Sequence, residues 1–464
     1  MNNVFSFKRI VLYSAFLISA YLVLSPVSSQ PVVFSYSAAV VLITLVFWST
    51  GVLPPYLSSL VFFALVVIFG LIEPNILFAG FGSTAVWLII SGFVIGAAIT
   101  QSGLGKRLAT LIAPYVTGSY PRLIGGLVFS AMALGFIMPS SVGRAVVLIP
   151  IGMALAEKVG FGRGSNGRLG IATSLAISCN MPSFAILPSN IPNMILAGSS
   201  ETLFGISFGY TEYLLLHFPI LGIIKSALVV WLVLKIFPAQ INHNVTTSGS
   251  EPPEDFDFKL QRKVGWILGL TLLFWMTDSI HGVNAAWVGL VTAIVLLLPK
   301  YGVVETKSFN GSMDFATIIY VAAALGLGAL VNSSGIGVYM GQLFSQILPA
   351  DSGSSFLSFM ALSLISTLTG LVATIPGVPT VLSPMASDFA TSSGFSIAAV
   401  LMTQVIGFST VIFPYQVGPL IVAMQLSQER LSELLKITLP LAAVTIFILM
   451  PLDYLWWLLL GWIH

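Results

Sequence analysis

Apolar runs recur along the whole chain, broken by Pro, Gly or charge. They predict spans near 10–24, 32–50, 56–72, 84–101, 168–197, 212–236, 264–280, 284–299, 313–333, 395–424 and 434–459, because a crossing helix needs about 20 apolar residues. Two further apolar regions, 123–158 and 354–390, are too long for one span. Small residues and Pro interrupt each near its middle: "MPSSVG" in the first and "TIPGVP" in the second. Each fits two half-length arms better than one rod, so both are expected to be re-entrant helical hairpins. Segments of about ten residues with alternating polarity, the mark of a transmembrane barrel, are absent. The expected fold is an all-α polytopic membrane protein with about 11 transmembrane helices plus two re-entrant hairpins.

Composition agrees with a chain whose main partner is the lipid bilayer. Of its 464 residues 57% are hydrophobic and 7% charged, against about a quarter charged in soluble domains. The first apolar run follows Lys8 and Arg9 but precedes no small-residue cleavage site, so it is expected to be a retained span. One cysteine, Cys179, excludes an internal disulfide and a cysteine metal cluster. The four histidines, His217, His243, His281 and His464, have no metal-ligand spacing. No catalytic cluster lies in the membrane segments, so an enzyme is not expected. The glycines of "GFGRGSNG" (160–167) lack the strand–turn–helix context of a phosphate loop, and no ATPase motif occurs. No cofactor and no nucleic-acid partner is expected.

Charge orients the layout. With a cytoplasmic N-terminus, every one of the 18 Lys and Arg residues except Arg144 and Lys225 falls in a cytoplasmic segment, Lys106 and Arg107 included. The positive-inside rule supports this orientation, eleven spans then put the C-terminus outside, and the plasma (inner) membrane is the expected location. The one long polar stretch, 238–262, has the Ser, Thr, Pro and acidic content of a flexible cytoplasmic linker.

The halves resemble each other. "GAAITQSGLG" (96–105) aligns with "GALVNSSGIG" (328–337), "VGRAVVLIP" with "GVPTVLSP", and "ILPSNIPNMILAG" with "IFPYQVGPLIVAM", at offsets of 232, 234 and 226. In the expected topology the copies start on opposite sides, giving inverted repeats as in alternating-access carriers. The division expected is N-terminal scaffold helices in 1–78 and a first repeat in 79–210 (hairpin 123–158, broken helix 168–197). Scaffold helices with the linker follow in 211–310. A second repeat occupies 311–426 (hairpin 354–390, broken helix 395–424), and a last span 427–464.

The chemistry is expected at the breaks: "PSSVG" (139–143) and "LPSNIPN" (187–193) in one half, "TIPGVP" (374–379) and "FPYQVGP" (413–419) in the other. Broken helices free backbone groups that survive in a bilayer only when buried in protein or lining a wet cavity. Helix N-termini there suit an anion, and unwound carbonyls suit a small cation. The substrate ligands expected are Ser140, Ser141, Arg144, Ser189, Asn190, Asn193, Thr374, Thr380 and Gln416. Tip backbone or a cation site is expected from Val142, Gly143, Pro192, Ile375, Pro376, Gly377 and Pro419.

With "QSGLGKRLA" (101–109), "NSSGIGVYM" (332–340) and "SNIPN", this layout resembles the divalent-anion:sodium symporter family, also called the sodium:sulfate symporter family. The resemblance implies transport of di- or tricarboxylates or sulfate, an elevator-type mobile domain, and a homodimer built on the scaffold. It also implies a Ser-Asn-Thr tip in each hairpin that binds carboxylate and helps hold sodium. Here the tips read Ser140-Ser141-Val142 and Thr374-Ile375-Pro376. A hard cation wants several oxygen ligands, so the expectation is anion exchange without sodium. Arg144 would replace the bound cation or pair bidentately with the substrate. Sodium- or proton-coupled symport of carboxylates or sulfate is the alternative, and an anion channel a more distant one. Asp388 is weighed as a proton carrier against a surface position. Lys225 is expected to pair structurally or to snorkel.

Overall fold

The computed structural model describes residues 2–105, 107, 118–241, 257–345 and 354–463. Lys106, His243, His464 and most of the 238–262 linker lie outside the described residues. Among those described, the chain is helical throughout, with no strand. Seven helices are long and apolar enough to cross a membrane: Val32–Thr50, Thr84–Ser102, Tyr120–Ile137, Tyr210–Ile236, Phe315–Ser333, Ser355–Ala373 and Leu431–Leu459. The pair Gly377–Ser393 and Ile397–Phe408, bent by 114°, brings the number to eight if taken as one span. Two regions expected to span are shorter as helices, Pro55–Ile68 and Ala285–Leu297.

Both Pro-rich regions of 168–197 and 395–424 interrupt their helices. In the first, Asn166–Ser178 ends, two short 3₁₀ turns follow at Pro182–Ala185 and Leu187–Ser189, and Ile191–Phe204 begins. In the second, Ile397–Phe408 ends, a 3₁₀ turn forms at Pro414–Gln416, and Gly418–Ser427 begins. Pro192 and Pro419 sit in the first turn of the later helices, where a missing N–H costs nothing. Residues 167–190 and 399–411 are buried without exception. The two interrupted spans therefore form the centre of the molecule, the one place in a bilayer where irregular backbone is tolerated.

Small residues let the neighbours close in. A Cβ on Gly407 would meet the Ser366 side chain and would stand 2.7 Å from the Ser363 carbonyl. Any larger residue would push Ser355–Ala373 away from Ile397–Phe408, since helices in lipid associate by close backbone approach.

A buried ion pair ties the start of the first interrupted span to the end of the second. Arg168 donates from Nε to Glu429 at 3.1 Å and from Nη1 to Glu157 at 3.1 Å. Glu429 is buried with Arg168, whereas the Glu157 side chain is 69% exposed. Removing one partner of a buried pair costs about 3–5 kcal/mol, while an exposed pair contributes about 0–1 kcal/mol. Arg168→Met is therefore expected to lower the melting temperature strongly, and Glu157→Gln to leave it nearly unchanged. Equal shifts would contradict the assignment.

Candidate functional site

Each region expected as a hairpin carries a three-residue non-helical tip between two helices, extended in the first and a turn in the second. In the first, Tyr120–Ile137 gives way to Met138-Pro139-Ser140, and Ser141–Lys158 begins. Ser140 caps the new helix by accepting from the Gly143 amide at 3.1 Å. In the second, Ser355–Ala373 gives way to Thr374-Ile375-Pro376 before Gly377–Leu382. Thr374 has φ 60° and ψ 167°, a conformation that costs a β-branched residue about 1–3 kcal/mol and clusters at functional loops. The Ile375 amide donates to the Gln416 carbonyl at 3.2 Å, joining the second tip to the second break.

Both tips and both breaks line one cavity of about 100 Å³. Ser140, Ser141 and Val142 come from the first tip, and Asn190 and Pro192 from the first break. Ile375 and Pro376 come from the second tip, and Gly418 and Pro419 from the second break. Three helices, Ser141–Lys158, Ile191–Phe204 and Gly418–Ser427, thus begin at its wall. The last two have no side-chain cap, so their first amides are open to an anion.

Asn180, Phe184 and Thr317 also line the cavity, and no sequence motif marks them. The Asn180 amide nitrogen is buried and has no hydrogen-bond partner. A polar side chain just before Pro182 in an apolar run was its only signal.

Several expected ligands stand behind the wall and satisfy the freed backbone. Asn193 donates from Nδ2 to the Ser183 carbonyl at 3.2 Å and the Ile186 carbonyl at 2.9 Å. The Ser189 hydroxyl donates to the Gly135 carbonyl. Gln416 Oε1 accepts from the Ile412 and Phe413 amides at 2.9 and 2.7 Å. Thr380 is buried with an unpartnered hydroxyl. Gly143, Thr374 and Gly377 likewise do not line the cavity. Asn190 does both jobs. It accepts from the Ser141 hydroxyl, and its Nδ2 donates to the Asn180 carbonyl at 3.1 Å and the Ser183 hydroxyl at 2.8 Å.

Arg144 is fully buried and is not part of the cavity wall. Its Nε donates to the Cys179 carbonyl at 2.9 Å and its Nη1 to the Met138 carbonyl. Its Nη2 donates to Ser183 Oγ at 2.6 Å, Ser141 Oγ at 3.0 Å and the Ser189 carbonyl at 3.3 Å. A bidentate grip on substrate, expected from the sequence, is not available, because the planar fork is spent on the tip and the break. Lys225 does not snorkel: it is 2% exposed and donates to the Ser409 carbonyl at 2.7 Å. Cys179 and Ser409 are the C-caps of Asn166–Ser178 and Ile397–Phe408. Each intramembrane cation therefore holds the negative end of a half-helix at a break. Asp388 is half-buried and away from the cavity.

Residues 7–463 match the family described as the sodium:sulfate symporter transmembrane region. The chain belongs to the sodium:sulfate symporter family. Within reach of it is the chloroplastic dicarboxylate transporter 2.2 of Arabidopsis thaliana, 24% identical over 83% of this chain and 72% of that protein. The L-tartrate/succinate antiporter of Escherichia coli K12 is 23% identical over 74% of this chain and 72% of its own. Among solved structures, the YdaH transporter of Alcanivorax borkumensis superposes with a TM-score of 0.56 at 18% identity, over 86% of this chain and 89% of that one. MtrF of Neisseria gonorrhoeae also gives 0.56, at 14% identity, over 89% and 97%. These two share the all-helical membrane fold with this member of the symporter family.

Proposed function

We propose that this protein is a secondary carrier of small divalent anions, di- and tricarboxylates first and sulfate next. The observation that carries this reading is the convergence of two tips and two breaks, three of them helix N-termini, on one cavity. Positive helix ends and open amides suit a dianion more than a cation or a neutral solute. The dicarboxylate transporter and the tartrate/succinate antiporter among its relatives support the same substrate class. Ser140, whose hydroxyl proton is free, and Asn180, whose amide nitrogen has no partner, would bind the carboxylates. Ser141 and Asn190, whose donors are spent on each other and on the break, would shape the walls with Val142, Pro192, Ile375, Pro376 and Pro419. Ser189, Asn193, Thr374, Thr380, Gln416, Gly143 and Gly377 would hold that wall in place.

Arg144 and Lys225 occupy half-helix C-terminal ends, the kind of site where carriers bind a coupling cation. Fixed cations there favour exchange without sodium. Coupled symport remains the second reading, because the family is described as sodium:sulfate symporters. Eleven spans, two re-entrant hairpins in inverted repeats, an elevator movement and a homodimer in the inner membrane complete the proposal. Thermal melting with succinate, tartrate, citrate and sulfate tests it. A ligand at about 100 times its Kd stabilises by about 2.7 kcal/mol. Dianions should raise the melting temperature equally with and without sodium. Stabilisation only in sodium would favour symport, and none by any dianion would refute the substrate class.

The tip must also move past its neighbour. A Cβ on Gly92 of Thr84–Ser102 would lie 3.0 and 3.1 Å from the Pro139 side chain. Overpacking costs about 1–3 kcal/mol. Gly92 also lines the cavity, so Gly92→Val is expected to slow exchange about tenfold and to weaken the anion-induced melting shift. Unchanged exchange would place the moving boundary elsewhere.

A further inference from the structure

Outside the cavity, Tyr210–Ile236 and Leu431–Leu459 lie against each other, and each contains a π-helical stretch, Phe218–Ile224 and Thr445–Leu449. Such insertions redirect side chains and frequently mark functional sites. Lys225 follows the first stretch directly, and Asp453 lies just beyond the second. They are 228 positions apart, within the offsets that align the halves.

Asp453 is fully buried, and neither carboxyl oxygen has a hydrogen-bond partner. Lys225, on the helix packed against that of Asp453, spends its short bond on the Ser409 carbonyl and not on the Asp453 carboxyl. One turn along, on the same face as Asp453, Trp457 is fully buried with Nε1 unpartnered. The His217 ring lies 5.9 Å from the Trp457 ring, with Nδ1 unpartnered and Nε2 3.3 Å from Met402 Sδ. Three buried side chains with unpaired polar atoms at one helix contact are a cost the fold would not carry without an occupant.

We propose that Asp453 is an intramembrane proton-binding site, linked through Lys225 to the second break of the substrate cavity. A bare carboxylate there, without one hydrogen bond, is too costly, and a proton on one oxygen removes the charge. The other titratable groups facing it are few. Tyr210–Ile236 brings Lys225, His217 and Tyr213, whose hydroxyl donates to the Phe184 carbonyl at 2.9 Å. Ser355–Ala373 and Ile397–Phe408 carry no ionisable side chain. On its own helix, the Tyr454 hydroxyl pairs with Ser355 Oγ at 2.7 Å.

Protonation turns a neutral Lys225–Asp453 pair into a net positive one. That charge bears on Ser409, where the second break begins, and favours a dianion at Gly418 and Pro419. The coupling is reciprocal: anion binding strengthens proton binding by the same factor. This second half rests on the anion-carrier reading; the proton site itself does not.

The test uses the full chain in lipid vesicles with sulfate as probe, which stays a dianion from about pH 6.5 to 9. In infrared spectra a protonated-carboxyl band should change when sulfate binds and be absent in Asp453→Asn. The apparent sulfate affinity of the wild type should tighten with falling pH, by up to about tenfold per unit for one linked proton. In Asp453→Asn it should be flat. Asp453→Glu, should the Asn variant fail to fold, should keep the slope and shift the band's frequency. A wild-type slope in Asp453→Asn, or a band unmoved by either variant, overturns the proposal. A band that belongs to Asp453 in a protein binding neither sulfate nor succinate would sink the carrier reading and leave the proton site standing.

Discussion

Arg144→Met is expected to abolish exchange and to lower the melting temperature sharply, and Arg144→Lys to recover little of either. The guanidinium serves the Cys179, Met138 and Ser189 carbonyls and the Ser141 and Ser183 hydroxyls at once. Hydrogen bonds to a charged group contribute about 1.5–3 kcal/mol each, and orphaned buried acceptors add about 1–3 kcal/mol. Losing even two of them approaches the whole stability of a typical domain, about 5–15 kcal/mol. Lysine keeps the charge but not the planar fork, so it reaches one side of the tip–break junction and not both. Thermal melting alongside counterflow separates the outcomes. A variant that melts like the wild type but no longer exchanges would mean that Arg144 touches substrate after all.

The second large effect is expected at Asn190, which joins the first tip to the first break and also lines the cavity. Asn190→Leu leaves the Ser141 hydroxyl and the Asn180 carbonyl short of a partner and puts a branched apolar chain at the wall. The expected loss is about 2–4 kcal/mol in binding, or a 30- to 1000-fold weaker anion affinity. Asn190→Asp should be equally poor, because a carboxylate there repels a dianion. Asn193→Leu should act differently: it faces away from the cavity, so stability should fall while the affinity of the remaining folded protein holds. Binding titrations on the variants distinguish wall from support.

Much of this was legible in the sequence for a local reason. A helix must stop where Pro and small residues interrupt an apolar run, so "MPSSVG", "LPSNIPN", "TIPGVP" and "FPYQVGP" mark the breaks without any knowledge of tertiary structure. The all-helical membrane class followed equally directly from the length of the apolar runs. What the residues at a break do is a different matter. Arg144 acquires its role from Cys179, Ser183 and Ser189, at least 35 positions away. Asn193 and Gln416 look like ligands from their type and place, yet they satisfy carbonyls and amides that the breaks themselves release. Lys225 reads as a side chain that pairs structurally or snorkels, and only Ser409 beside it decides for pairing. Short helices were illegible for the opposite reason: 56–72 and 284–299 are apolar enough to cross, but their helices close at Ile68 and Leu297.

The central claim is that a dianion is carried at the junction of the two tips and two breaks, with fixed cations where other carriers bind sodium. Counterflow tests it most directly: proteoliposomes preloaded with unlabelled succinate and placed in sodium-free medium with trace labelled succinate. Saturable uptake accelerated by the preload, and unchanged when sodium is added, is the predicted result. Uptake that requires sodium, or that ignores the preload, would contradict it.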